Sequence, residues 1–213
     1  MSDPGPSHVT VVGTGIATGT PDQCQLQVAL TCTSDDAAIA LSTCGELAAK
    51  AIAAVGEVDG AHCDVQTTGI SVQDFFDKGQ MRVTAKIGTY ELRVTVRPIG
   101  NVGRVLTVLG SVAGDALSTR GFQLSVRDPE PLRRESRRLA VMDARTRAVE
   151  LSEAAGIDLG PILALEDGAA PPGPTVRYAR TMSFGAAADV PVAPGEVSAT
   201  STVTITYAIS PQG

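Results

Sequence analysis

The chain has 213 residues, 43% hydrophobic and 3% aromatic, with a formal net charge of −6 from Lys+Arg 17 against Asp+Glu 23. That length buries roughly 70% of the surface an unfolded chain exposes, enough for one domain or two joined halves, and argues against a stapled miniprotein or global disorder. An acidic chain with Tyr 3, Phe 4 and Trp 0 suits nucleic acid poorly, because that partner requires positive potential and stacking aromatics.

Residues 1–7 read as a flexible lead to a single domain over 8–210. The start, Met1-Ser-Asp-Pro-Gly-Pro-Ser-His8, has neither a basic head nor an apolar run, so no export signal is visible and the expected compartment is the cytosol. No stretch reads as the ~20 apolar residues of a membrane helix.

Two strand patterns follow, 9–13 and 24–32, joined through Gly19-Thr-Pro-Asp22. A helix is predicted over 36–55, with Ser34 and Asp35 as caps and a stripe of Ala37, Leu41, Cys44, Ala48, Ala51 and Val55 packed on a sheet. Residues 64–72 and 81–98 are extended. Apolar parity in the second switches from Met81, Val83, Ala85, Ile87 to Tyr90, Leu92, Val94, Val96, which predicts a bulge or tight turn near Gly88. Residues 73–80 between them read as a connecting loop or a hairpin tip carrying Phe75 and Phe76.

A short helix over 101–113 and a strand over 117–126 lead to a helix from Asp128 to about Ala155. Asp128 is the expected N-cap, Pro129 the first helical residue, and Leu132, Ser136, Ala140, Ala144, Ala148, Leu151 and Ala155 the buried stripe. Residues 162–165 form a strand. In 194–209, Val197, Ala199, Val203, Ile205, Tyr207 and Ile209 alternate with Ser198, Thr200, Thr202, Thr204 and Thr206, the period of a strand with one buried and one wet face. The fold class is α+β: an antiparallel or mixed sheet with two long helices on one face, in an order that suggests two related halves.

Little in this pattern carries chemistry. Gly13-Thr-Gly15-Ile-Ala-Thr-Gly19 lacks the spacing and the following helix of a dinucleotide loop, so its glycines read as a bulged edge or turn. Cys24, Cys32 and Cys44 fall on apolar faces, where reduced thiols pack as small hydrophobes. Only His62-Cys63 offers adjacent soft ligands. Neither His8, in the N-terminal lead, nor His62, in a turn, lies beside a nucleophile elbow or similar element, and Asp35-Asp36, Asp74 with Asp77, and Glu166-Asp167 lie at helix starts or loops. No catalytic residue, cofactor or metal is expected. Arg133, Arg134, Arg137, Arg138, Arg145 and Arg147 crowd one helix, interspersed with acids, as in a salt-bridged outer face or one that meets an acidic neighbouring subunit. Residues 169–194, rich in Ala, Pro and Gly, carry Val176, Tyr178, Met182 and Phe184. They are either disordered or an apolar arm that orders on a neighbouring subunit.

Four blocks together resemble the SIMPL-domain family: Val9-Thr-Val-Val-Gly-Thr-Gly with Thr20-Pro-Asp22, Asp64-Val-Gln-Thr-Thr-Gly-Ile-Ser-Val72, the Ala-rich 140–160 helix with its Gly exit, and the closing strand from Pro194 to Tyr207. The resemblance implies an α+β protein without established catalytic residues. It also implies relatives often exported to the periplasm or envelope, some of them ring-like or channel-like homo-oligomers, with suggested roles in stress tolerance or as signalling adaptors. The expected function is therefore non-enzymatic self-assembly into a ring, cage or scaffold. The expected partner is a second copy of the chain, with an unidentified protein partner left open. Phe75, Phe76, Tyr178, Met182 and Phe184 are the expected assembly residues, and Arg133, Arg134, Arg137 and Arg138 the charge-pairing row. The alternatives are a module for a small apolar or anionic ligand, or a signalling adaptor.

Overall fold

The alternation read from the C-terminal segment is realised as β8 (Glu196–Pro211), a strand with two unlike faces. Val197, Ala199, Val203, Ile205 and Tyr207 are buried, whereas Thr200, Thr202, Thr204 and Thr206 are half-buried on the opposite face. The computed structural model describes residues 7–77, 82–168, 175–177 and 195–211. Over these residues the protein is α+β, with three α-helices and two antiparallel sheets, and it divides into two compact units.

The first unit is built around β8. β1 (His8–Gly19) pairs along one side of it, and β6 (Ile157–Gly168) with the three-residue β7 (Thr175–Arg177) along the other. The helix α3 (Glu130–Ala155) covers this sheet. Asp128 Oδ1 accepts the Glu130 N–H at 3.0 Å, which satisfies one orphan donor of the first turn. Gly156 ends the helix with φ 62 and ψ 43, left-handed values that glycine adopts without a Cβ penalty. Ser136, Ala140, Ala144, Ala148 and Ser152 recur every four residues and form the buried face. Such small side chains let the helix backbone touch the strand backbone. A Cβ on Gly13 would stand 2.1 Å from the Ala140 carbonyl oxygen, and one on Gly15 2.0 Å from that of Ser136. Val11, Val203, Ile205 and Tyr207 fill the space on either side.

The second unit holds β2 (Gln23–Ser34), α1 (Ala37–Gly56), β3 (His62–Asp77), β4 (Arg82–Arg97), α2 (Val102–Ala113) and β5 (Leu117–Ser125). Its sheet runs β3-β4-β2-β5. Leu26, Val28, Leu30, Leu92, Val94 and Val96 from the central strands meet Cys44, Ala48, Ala51 and Val55 of α1 and Val102, Val105 and Leu109 of α2 in one core. Each fully buried Leu or Val contributes about 1.5–3 kcal/mol of transfer free energy.

Several expectations change. The two halves are not consecutive in sequence: β1 leaves its neighbour β2 and joins the C-terminal strand instead. Asp36, rather than Ser34 or Asp35, caps α1, accepting from Ala38 N–H at 2.7 Å and Ile39 N–H at 3.1 Å. There is no bulge at Gly88, which keeps register with Cys32. The irregularities lie across the hairpin on β3, between Thr67 and Gly69 and between Phe75 and Phe76. Gly88 is instead a contact point, since a Cβ there would stand 2.7 Å from the Ala40 carbonyl oxygen. Of the two readings of 73–80, loop or hairpin tip, residues 73–77 fit the hairpin: they continue β3 in antiparallel pairing with β4. On α3 the four-residue spacing ends at Ser152, and Leu151 faces outward. The reading that no stretch approaches bilayer length missed α1, whose 20 residues suffice by length and composition. Its Cys44, Ala48, Ala51 and Val55 are nonetheless packed in the core of their unit.

Candidate functional site

The two edges of the β8-centred sheet are unlike. β1 forms one edge, and α3 guards it: the Thr14 N–H donates to Asp143 Oδ2 at 2.8 Å. That hydrogen bond, with Arg147 at 3.0 Å behind it, holds the Asp143 carboxyl below the ordinary carboxylate range. A strand edge whose amide already has a charged acceptor is a poorer template for another chain.

β6 forms the other edge and is not guarded in this way. Among the described residues its only strand partner is β8. Leu159 still packs against the Ala140–Ala144–Ala148 cluster, but beyond it Ile162, Leu163 and Leu165 are 52%, 49% and 52% exposed. Three large apolar side chains within four positions, on a strand with one side unpaired among the described residues, are a concentration of exposed apolar surface. The strand over 162–165 was legible in the sequence. Its edge position was not, although an unalternating run of Ile, Leu, Ala and Leu was a signal that neither face is cleanly wet.

The expected assembly residues are not gathered there. Phe75 lies on β3 opposite Ala85 and is 50% exposed, and the Phe76 backbone pairs with Val83. Both belong to the other unit. Tyr178, Met182 and Phe184 lie outside the described residues, as does most of the 169–194 arm. Arg133, Arg134, Arg137 and Arg138 are all exposed on α3. Arg137 pairs with Glu130 at 2.8 Å and Arg138 with Glu135 at 2.7 Å, so half of the row is engaged along its own helix. The Arg138 guanidinium holds the Glu135 carboxyl below its usual value.

A second candidate lies in the β2–β5 unit. Gly60, Ala61, His62, Arg97, Pro98 and Arg127 line an open cleft of about 520 Å³. Arg97 is only loosely tied to Asp64, at 3.9 Å, so its charge is not neutralised by a close ion pair. Asp22 anchors the far wall by accepting the Arg127 N–H at 2.7 Å. That His62, Arg97 and Arg127 line one cleft was invisible along the chain, where they stand far apart. Among the described residues no three His, Cys, Asp or Glu side chains are grouped as metal ligands.

The SIMPL profile, described as "Protein of unknown function (DUF541)", matches residues 9–207. The chain belongs to the SIMPL family. Proteins of Brucella melitensis and Brucella abortus named "26 kDa periplasmic immunogenic protein" are each 30% identical over 219 residues, covering 96% of this chain and 85% of the relative. An Edwardsiella ictaluri protein named "Uncharacterized protein YggE" is 24% identical over 160 residues, covering 73% of this chain and 65% of the relative.

For this SIMPL protein the matches confirm the resemblance read from the four blocks. They overturn the cytosolic expectation, because both Brucella relatives carry periplasmic names. The physical reason is simple: export leaders are cleaved, so the first residues of a sequence do not report a compartment. The family description names no activity.

Proposed function

We propose that this chain is a non-enzymatic, self-assembling SIMPL protein of the periplasm, whose copies join through the β6 edge. The observation that carries this reading is the exposure of Ile162, Leu163 and Leu165 on a strand that, among the described residues, pairs on one side only. Antiparallel pairing of β6 with its copy about a two-fold axis satisfies the outer backbone groups and covers these side chains. It also sets Glu166 and Asp167 of each copy towards the Pro161 end of the other, so the carboxylates do not stack. One such contact makes a dimer. A ring or cage takes a second, for which the outer face of α3, with Met142 and Val149 53% and 38% exposed, offers one apolar surface. The periplasmic placement takes its support from the names of the Brucella relatives.

Light scattering on the purified protein tests this. The expected mass is a multiple of 21.8 kDa. Leu163→Lys and Leu165→Lys are expected to lower that mass while leaving the monomer folded, since neither side chain is buried in the core. A monomeric wild type, or a mass that both substitutions leave unchanged, would sink the β6 interface.

The cleft between His62, Arg97 and Arg127 favours a second reading, a site for a small anionic ligand. Thermal shifts with a panel of phosphates and carboxylates, compared between wild type and Arg97→Ala, decide it. No shift with any anion removes this reading and leaves assembly standing.

A further inference from the structure

β2 and α1 each present a cysteine to the other. On β2 the parity of Cys24, Leu26, Val28 and Leu30 carries Cys32 onto the helix-covered face, where it is partly buried against the core. On α1, Cys44 sits in the sheet-facing row of Ala40, Cys44 and Ala48 and is fully buried. The Cys44 thiol donates to the Leu30 carbonyl oxygen at 3.1 Å, two residues before Cys32 on the same strand. Cys32, the next β2 residue on that face, packs against the core cluster to which Cys44 belongs. Gly88, the β4 residue opposite Cys32, brings the helix down at this level, because a side chain there would strike the Ala40 carbonyl.

The other two cysteines have no such partner. Cys24 and Cys63 both lie opposite Val96, on the strands that flank it. That places their backbones two strand spacings apart, about 9.6 Å, beyond the roughly 7 Å that a disulfide can bridge. Cys24 and Cys32 are separated along one strand by well over 20 Å, at about 3.3 Å per residue. Cys32 and Cys44, by contrast, face the same stretch of the β2–α1 packing, with the Cys44 thiol on the carbonyl of Leu30, the residue of that face next to Cys32.

We propose that Cys32 and Cys44 are a dithiol that closes into an intramolecular disulfide, tying the end of β2 to α1, when a low-molecular-weight or protein disulfide oxidises them. The Cys32 thiolate, on the more accessible side, attacks the oxidant's S–S bond. This forms a mixed disulfide and releases one reduced thiolate of the oxidant. The Cys44 thiolate then attacks the Cys32 sulfur, the Cys32–Cys44 bond forms, and the second thiolate of the oxidant leaves. The two cysteines lose two protons to solvent and two electrons to the oxidant, which ends as two thiols. Cys44 is fully buried, so the second step waits on local opening of α1 over β2. Periplasmic export, proposed above, would place the pair in an oxidising compartment, but the pairing rests on geometry and stands or falls without it.

The test uses the full chain, purified reduced and incubated with oxidised glutathione. The sample is then denatured, alkylated and analysed by intact and peptide mass. The expected result is loss of two hydrogens, two thiols protected from alkylation, and one cross-linked peptide pair containing Cys32 and Cys44. Oxidised protein is expected to gain about 5 °C or more in Tm, reversed by a reductant. Cys24→Ala should keep the cross-link and Cys32→Ala should abolish it. Four alkylatable thiols after prolonged oxidation, a persistent glutathione adduct on Cys32, or a cross-link through Cys24 or Cys63 would each overturn the assignment. None of these outcomes depends on whether the protein assembles.

Discussion

Gly15 of β1 lies directly beneath Ser136 of α3, so close that a Cβ on the glycine would stand 2.0 Å from the Ser136 carbonyl oxygen and 2.3 Å from the Ala140 nitrogen. The contact is backbone against backbone, with no flexible side chain available to yield. It explains why a glycine pair sits inside a paired strand, where glycine ordinarily weakens structure. It also fixes how near Asp143, farther along the same helix, comes to the Thr14 amide.

Gly15→Val should therefore be severely destabilising, by about 3 kcal/mol or more, because either the helix or the strand must move. Gly110→Ala, in the interior of α2 with nothing within 4 Å of the added Cβ, should be neutral or stabilising by up to about 1 kcal/mol. Urea denaturation of the two variants against wild type checks the pair. Equal effects would mean that the close approach is not tight.

The buried Ser136 and Ser201 hydroxyls share a hydrogen bond of 2.7 Å, and Ser136 also stands 3.0 Å from the Arg133 carbonyl oxygen. Removing one partner leaves a buried hydroxyl short of a bond, so Ser201→Ala should cost about 1–2 kcal/mol. The double alanine variant should cost less than the sum of the single ones. A double-mutant cycle measures this, and strict additivity would show that the pair is not coupled.

Asp143 has a depressed carboxyl pKa in the folded chain, chiefly through the Thr14 N–H. Its contribution is present above the ordinary carboxylate pKa and is lost as pH falls through the lower, folded value. Asp143→Asn should flatten the acid limb of the stability–pH curve and leave the region above about pH 6 with a constant offset from wild type. Identical acid limbs in both proteins would remove Asp143 from this role.

Burial raises the Cys24 thiol from 9.0 to about 11. A raised folded value means stability that is complete below the unfolded pKa and lost as pH climbs from there through about 11. Cys24→Ala should therefore reduce the alkaline loss of stability of the reduced protein. Native-state alkylation at pH 8 should reach Cys32 well before the buried Cys24.

By itself, the sequence determined what depends on local periodicity and on short-range hydrogen bonding. The two-residue alternation of β8 and the four-residue rows on α1 and α3 specify which face is buried, and Asp128 and Gly156 bound the long helix through groups only a few residues away. The family blocks were legible for the same reason, being contiguous strings. Tertiary structure decided everything that requires knowing a strand's partner. Parity says which side of β1 is apolar but not that β8, at the far end of the chain, is the strand beside it. A glycine in a strand reads alike whether it marks a turn, a bulge, or a point where a helix touches down, as at Gly13, Gly15 and Gly88. Leu163 becomes an exposed edge residue, and Cys44 becomes the neighbour of Cys32, only when non-local pairing has set which surfaces are left over and which side chains meet.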